Sequence, residues 1–249
     1  MTRAIIFDLD GTLTESKQPL TPEMGALLAQ LFATMPVAVF SGAALHQFEQ
    51  QFLPFLPEGA RLENLYLFPT SAAQCYVYAD GAWRPVYAHD FTPEEKEKIL
   101  AALKEGIEKT HIVDDATPAY GERTEDRGAQ ISFSALGQLA PIAAKKAWDP
   151  DKNKRTPLWQ LLTEKLPEYN IAMNAMTTID ITQKGINKAY GVRQFAAMLK
   201  AEIPELLYVG DALFPGGNDA IVVPTGIPVR AVSGPAEAAA VIKAFTKTS

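Results

Sequence analysis

Asp8 and Asp10 stand one residue apart at the end of a short apolar run, and Gly11 and Thr12 follow at once. Two carboxylates that close repel each other unless a cation lies between them, and their oxygens suit a hard ion such as Mg2+. Gly11 lets the backbone turn back tightly, so that amide N–H groups can face a bound anion. Three further stretches carry groups of the same kind. Ser41-Gly42 ends a second apolar run and offers a hydroxyl donor for a phosphoryl oxygen. Lys188 falls in the first turn of a helical stretch, where its charge opposes the helix dipole. Gly210-Asp211 ends another apolar run, and Gly216-Gly217-Asn218-Asp219 follows on a tight loop. Each has an ordinary reading when taken singly: an acidic strand end, a serine-glycine turn, a surface lysine.

The elements around these residues decide whether they can meet. Ala4 to Phe7 is a continuous apolar run bounded by turn residues, the pattern of a strand in a parallel sheet covered on both faces. Ligands of such sheets bind outside the carboxyl ends of the strands, where Asp8 and Asp10 fall. Thr21-Pro22-Glu23 opens a helix as N-cap, first-turn proline and dipole-facing acid, with Met24, Leu27, Leu28, Leu31 and Phe32 at helical spacing. Strands are expected at 36–40 and 64–68, with a helix over 44–53 between them. Asp80-Gly81, flanked by β-type runs, signals a hairpin, and there the βα alternation stops. Thr92-Pro93-Glu94-Glu95 is a capping box that starts an amphipathic helix to about Lys109. A strand at 129–133, a helix over 152–166 and strands at 170–174 and 177–182 complete a β-α-β-β-α-β-like order, an antiparallel sheet with helices on one face. From Lys184 the α/β pattern returns, with a helix from Lys188, strands at 206–211 and 228–232, and a last helix from Gly234-Pro235. The expected fold is α/β: a doubly wound parallel, Rossmann-like core built from residues 1–85 and 186–249, with an α+β module over 86–185.

Bulk properties narrow the function. Among 249 residues the formal net charge is −6, which leaves no broad basic field for a nucleic-acid backbone. Cys75 is the sole cysteine, so an internal disulfide and a multi-cysteine metal cluster are excluded. His46, His89 and His111 are scattered, against a zinc site. The sequence shows neither a signal-peptide pattern nor an apolar stretch of membrane-spanning length, so the expectation is a cytoplasmic protein without a membrane partner.

The string Asp8-Leu-Asp-Gly-Thr-Leu-Thr14 resembles the nucleophile motif of the haloacid dehalogenase (HAD) superfamily of phosphotransferases. Ser41, Lys188, and Gly210-Asp211 with Gly216-Gly217-Asn218-Asp219 fall in that family's order and spacing. The α+β insert lies between Ser41 and Lys188, where the type IIB branch carries its larger cap. Within that branch the chain looks most like the phosphomannomutases, by Leu67-Phe68-Pro69, Arg127-Gly128 before a strand, Ile179-Asp180, and the run from Gly210 to Asp219. The resemblance implies that Asp8 attacks phosphorus and that Asp10 is the general acid/base. It implies Mg2+ held by Asp8, the Asp10 carbonyl and Asp211, with Asp219 and Asn218 completing the acidic end as ligands through water or as orienters of Lys188. Ser41, with Gly42, and Lys188 would neutralise the phosphoryl oxygens. Arg127, Thr178 and Asp180 would contact a phosphorylated sugar, and the cap would pair two chains in a homodimer.

The departures from that pattern bear on the reaction. Two arginines that clamp the second phosphate of a sugar bisphosphate in the mutases are replaced, one by Ser134 and the other among Ala143 and Ala144. Each lost guanidinium removes charge-assisted bonds of on the order of 1.5–3 kcal/mol apiece. Thr70-Ser71-Ala72 stands where the mutases have Glu-Asn-Gly. The expectation is therefore a Mg2+-dependent phosphatase acting on a hexose phosphate. The alternative is a phosphomannomutase in which Arg123, Lys145 or Lys146 takes over the second phosphate. A silent sugar-phosphate-binding protein would have no need of Asp10.

Overall fold

The computed structural model describes residues 2–15 and 18–246. The chain divides into two compact units, Met1–Ala88 with Asn187–Ser249, and His89–Ile186.

The first unit is organised around β1 (Ala4–Asp8), which lies inside a seven-stranded sheet. After it come α1 (Pro22–Phe32), β2 (Val37–Phe40), α2 (Leu45–Gln51), β3 (Leu65–Phe68), and the hairpin β4 (Gln74–Ala79) and β5 (Ala82–Ala88). The Thr21 side chain accepts a hydrogen bond from the Met24 N–H at 3.2 Å, which caps α1 as its sequence predicts. The second unit then contributes α3 (Pro93–Thr110), β6 (Thr124–Asp126), β7 (Gln130–Ser134), α4 (Ile142–Trp148), α5 (Thr156–Lys165), β8 (Tyr169–Ala172) and β9 (Thr178–Gln183). The chain re-enters the first unit with α6 (Lys188–Leu199), β10 (Leu206–Gly210), β11 (Val229–Ala231) and α7 (Pro235–Thr246).

Strand order in the first sheet is β11-β10-β1-β2-β3-β4-β5. β11 through β3 run parallel, whereas β4 and β5 join antiparallel. Alternation along β1 explains its unbroken apolar run. Ile5 and Phe7 enter a core with Leu28, Leu31 and Phe32 of α1 and Ile242 of α7. Ile6 points to the opposite layer, where Val192, Phe195 and Ala196 of α6 pack with Phe40 and Tyr208. With β10 on one side of β1 and β2 on the other, the chain leaves in opposite directions, which opens a crevice at the carboxyl ends of these strands.

The second unit is an antiparallel sheet of order β6-β7-β9-β8. Ile131, Phe133, Ile179 and Ile181 on one face pack with Ile99 and Leu103 of α3 and Leu158 and Leu162 of α5. Ser132 and Ser134 alternate with the apolar residues of β7 and pair in register with Asp180 and Thr178 of β9, so the other face is polar. The expected β-α-β-β-α-β order is corrected here. The 74–88 hairpin pairs with β3 in the first unit, so no strand precedes α3, and the element order is αββααββ. β6 and α4 have no counterpart among the elements expected from the sequence. Among the described residues, no helix is long and apolar enough to cross a membrane.

Candidate active site

β1 delivers Asp8, buried, to the crevice. The chain then coils on itself: the N–H groups of Leu13 and Thr14 donate to the Leu9 carbonyl at 2.9 and 3.1 Å, and Gly11 N–H donates to Thr14 O at 2.8 Å. Gly11 has φ +87°, and a Cβ there would lie 2.6 Å from Asp211 Oδ2. Both the left-handed backbone and the close approach call for glycine. Lys188 is the first residue of α6, whose cap, Asn187, accepts from the Tyr190 N–H at 3.1 Å. Its Nζ donates to Asp8 Oδ1 at 2.6 Å and to Asp219 Oδ1 at 2.7 Å. Asp219 Oδ1 also receives the Tyr208 hydroxyl at 2.6 Å, while Asp219 Oδ2 receives the Ala212 N–H at 3.1 Å. Gly210 is what lets Asp219 come so near, since a Cβ at 210 would sit 2.4 Å from Asp219 Oδ2. Thr12 Oγ1 donates to Asp211 Oδ1 at 3.3 Å.

A lysine buried at a helix N-terminus is unfavourable both by desolvation and by the dipole, so it requires strong anionic partners. Burial opposes the Lys188 ammonium, but the charges of Asp219 and Asp8 outweigh it and its pKa is raised. For the acids, burial acts in the other direction. It lifts the Asp8 carboxyl well above the usual carboxylate range, and the Lys188 charge only partly offsets it. Asp211 is raised by burial and then by the Asp219 charge. Asp219 alone ends below its ordinary value, because Lys188, Tyr208 and Ala212 together overcome burial. Among the described residues, one ammonium thus stands beside three carboxylates, two of which it bonds, and the surplus negative charge favours a cation.

The donor set fits such an ion. Oxygen atoms of Asp8, Asp211 and Asp219 all lie within 4.8 Å of one another, the hard ligands that Mg2+ and Ca2+ take. Asp219 is already engaged at both oxygens by three donors, whereas Lys188 occupies only Oδ1 of Asp8.

Ser41, buried at the end of β2, forms a second small group with Asp10. Its Oγ donates to Asp10 Oδ2 at 3.4 Å and accepts from the Ala43 N–H at 3.0 Å. Gly42 follows on the same loop, and Asn218 is exposed beside Asp219. Arg127, Thr178 and Asp180 belong to the second unit. Arg127 Nη2 donates to Glu125 Oε2 at 2.6 Å and Gln138 Oε1 at 3.4 Å. Asp180 Oδ2 accepts from Asn174 Nδ2 at 2.9 Å, and Thr178 lies two residues before Asp180 on β9.

Two residues of the first unit's site were not anticipated as members of it. Tyr208 reads as one more apolar residue of a buried strand, and its hydroxyl becomes informative only because strand alternation puts it on the same face as Gly210. Thr12 reads as part of a turn, and its bond to Asp211 spans 199 positions of sequence.

A doubly wound sheet with an α+β insertion, and an acidic, lysine-bearing crevice at the carboxyl ends of its strands, is the frame of a known class of enzymes. Residues 5–219 match the family model of the haloacid dehalogenase-like hydrolases, and the chain belongs to that family. The phosphomannomutase of Spinacia oleracea is 27% identical over 223 residues, covering 86% of this chain and 83% of that protein. A probable phosphomannomutase of Caenorhabditis elegans is 24% identical over 225 residues, covering 86% and 84%. Among solved structures, a C-terminally truncated Plasmodium falciparum IMP-nucleotidase aligns with TM-score 0.70 and 16% identity, over 100% of this chain and 72% of that one. A haloacid dehalogenase-like hydrolase from Bacteroides thetaiotaomicron aligns with TM-score 0.65 and 14% identity, over 98% and 100%. These structural likenesses speak for the fold.

Proposed function

We propose that the protein is a Mg2+-dependent phosphatase that hydrolyses a hexose phosphate through an aspartyl phosphate on Asp8. In this reading Lys188 holds Asp8 by Oδ1 and leaves Oδ2 to attack phosphorus. The Asp8–phosphorus bond forms as the ester P–O bond breaks, and Asp10 gives its proton to the departing sugar oxygen. Asp10 then takes a proton from water as the water oxygen attacks phosphorus. The Asp8–phosphorus bond breaks, and inorganic phosphate leaves with Asp8 and Asp10 restored. Ser41, Lys188 and the N–H groups around Gly42 supply hydrogen bonds to the phosphoryl oxygens. Asp8, the Asp10 carbonyl and Asp211 would hold Mg2+, with Asn218 at the same acidic end. When bound, the ion offsets the repulsion between the Asp8 carboxylate and the phosphate dianion. The three donors on Asp219 favour it as the orienter of Lys188 over a direct ligand. Arg127, Thr178 and Asp180 are assigned to the sugar.

The state of the replaced arginine position carries the choice of hydrolysis over mutase chemistry. Ser134 is buried, bonded to the Gly137 carbonyl and to Thr177 Oγ1, both at 3.1 Å. Arg123, a candidate substitute, is tied to the Ala135 and Thr117 carbonyls at 2.9 and 2.7 Å. A site with fewer guanidinium groups holds a bisphosphate poorly, which favours water as the phosphoryl acceptor. The phosphomannomutase relatives favour the second reading, interconversion of mannose 1- and 6-phosphate.

Phosphate release from a panel of hexose 1- and 6-phosphates, with Mg2+ and with EDTA, separates the two. Multiple turnovers abolished by EDTA support the phosphatase. Interconversion without phosphate release, once a sugar bisphosphate is added, establishes the mutase instead.

A further inference from the structure

Arg155 is the largest fully buried side chain among the described residues, and nothing assigned so far uses it. It caps α5 and pairs with Asp149, to whose Oδ2 its Nε donates at 2.8 Å. Asp149 is buried as well, and also accepts from the Lys154 N–H at 2.9 Å and the Arg155 N–H at 3.3 Å. The other end of the guanidinium collects one short stretch of backbone. Nη1 donates to the carbonyls of Asn174 and Thr178 at 3.0 Å and of Ala175 at 3.3 Å. Ala175 has φ +45°, a left-handed backbone disfavoured for a residue with a Cβ.

The 173–177 turn between β8 and β9 is thus pinned from inside. Its Asn174 side chain reaches Asp180 Oδ2 at 2.9 Å. Asp180 is itself buried, yet among the described residues its Oδ1 has no hydrogen-bond partner, and neither has the Oγ of Ser132, its cross-strand neighbour. A buried carboxylate oxygen without a donor is costly, and a ligand hydroxyl would remove that cost. An ion pair kept for stability alone would be replaceable by apolar residues of the same volume, and would not need three converging carbonyls.

We propose that Arg155 and Asn174 are positioning residues for Asp180: Arg155 fixes the turn, Asn174 fixes one carboxylate oxygen, and the other is left aimed to accept from a hydroxyl of the substrate sugar. The inference rests on the hexose-phosphate reading and deepens it.

The test compares KM for the hexose phosphate with KM for p-nitrophenyl phosphate, which has no sugar hydroxyl, in Asp180→Ala, Asn174→Ala, Arg155→Lys and Arg155→Met. Asn174→Ala and Arg155→Met are expected to raise KM for the sugar substrate about tenfold more than KM for the nitrophenyl ester, the effect of roughly one hydrogen bond to a charged group. Arg155→Lys retains a cation for Asp149 without the fork, and is expected to behave like Arg155→Met. Asn174→Ala leaves the buried pair intact, so it carries the test even where an Arg155 variant folds poorly. Equal changes on both substrates in Asn174→Ala would make the role merely structural and overturn the inference. So would a sugar-specific effect in Asp180→Ala that Asn174→Ala does not share. No sugar-specific effect in Asp180→Ala removes Asp180 from the sugar and overturns the inference, while the hexose reading stands or falls separately with phosphate release from the hexose phosphates.

Discussion

Replacing Lys188 by methionine tests the charge balance on which the candidate site depends. Methionine keeps most of the side-chain volume, so α6 has little reason to move, but the ammonium that holds Asp8 at 2.6 Å and Asp219 at 2.7 Å is gone. Removing one partner of a buried pair leaves the other uncompensated at a cost of about 3–5 kcal/mol. Here two carboxylates lose the same cation. In a protein of this size about 1 kcal/mol moves the melting temperature by roughly 2–4 °C, so a drop of about 6–20 °C is expected in EDTA at pH 7. The pH dependence has a definite sign. Asp8 and Asp211 already have raised pKa values in the folded protein, so the folded state takes up their protons before the unfolded state does. Their ionisation therefore removes stability as pH rises above the unfolded carboxylate range and through the folded values. Loss of the lysine moves the folded values further up, so the deficit of the variant should be smaller at pH 5 than at pH 7. Added Mg2+ should recover part of it. Thermal melts by circular dichroism at both pH values, with EDTA and with Mg2+, read all three effects. A melting temperature within about 2 °C of the parent at pH 7 in EDTA would refute the claim that Lys188 balances a buried cluster of charged acids.

Tyr208→Phe removes one of the three donors to Asp219 and leaves Lys188 less firmly held. The expected result is a fall in kcat/KM of about tenfold with the fold retained, and an unchanged kcat/KM would exclude Tyr208 from the site. Gly11→Ala puts a Cβ at a left-handed position, 2.6 Å from Asp211 Oδ2. It should displace Asp211 and raise the Mg2+ concentration for half-maximal activity at least about tenfold, whereas an unchanged Mg2+ titration would separate Asp211 from the ion. Cys75 is buried, and burial pushes its thiol up to about 12. Ellman's reagent should leave the native protein untouched and titrate one thiol after denaturation, so rapid reaction of the native protein would contradict its enclosure.

How much of this was legible in the chain depends on whether a residue's role is set locally. Ile5, Ile6 and Phe7 announce a doubly covered strand because each face of a parallel strand must be apolar, and Thr21-Pro22 announces a helix start through its own capping bond. Asp80-Gly81 identifies a hairpin equally well, but a turn carries no information about which sheet its strands join. Pairing of Tyr66 with Val77 puts it in the first unit. β6 is three polar residues at a sheet edge, with no alternation to read, and it exists only through its ladder with β7. Ala143 and Ala144 stand out in the sequence by the arginine they lack, while the helix they build, α4, has no buried residue to give it a periodic face. The same distinction runs through the site. Asp211 and Asp219 are both acids on one strand-to-loop connection, and nothing in their spacing tells them apart. What separates them is Tyr208 and Ala212, which engage Asp219 at both oxygens, whereas Asp211 Oδ1 receives the Thr12 hydroxyl at 3.3 Å. A motif can thus name the acids, but only the donors around each distinguish the acid already held at both oxygens from its neighbour.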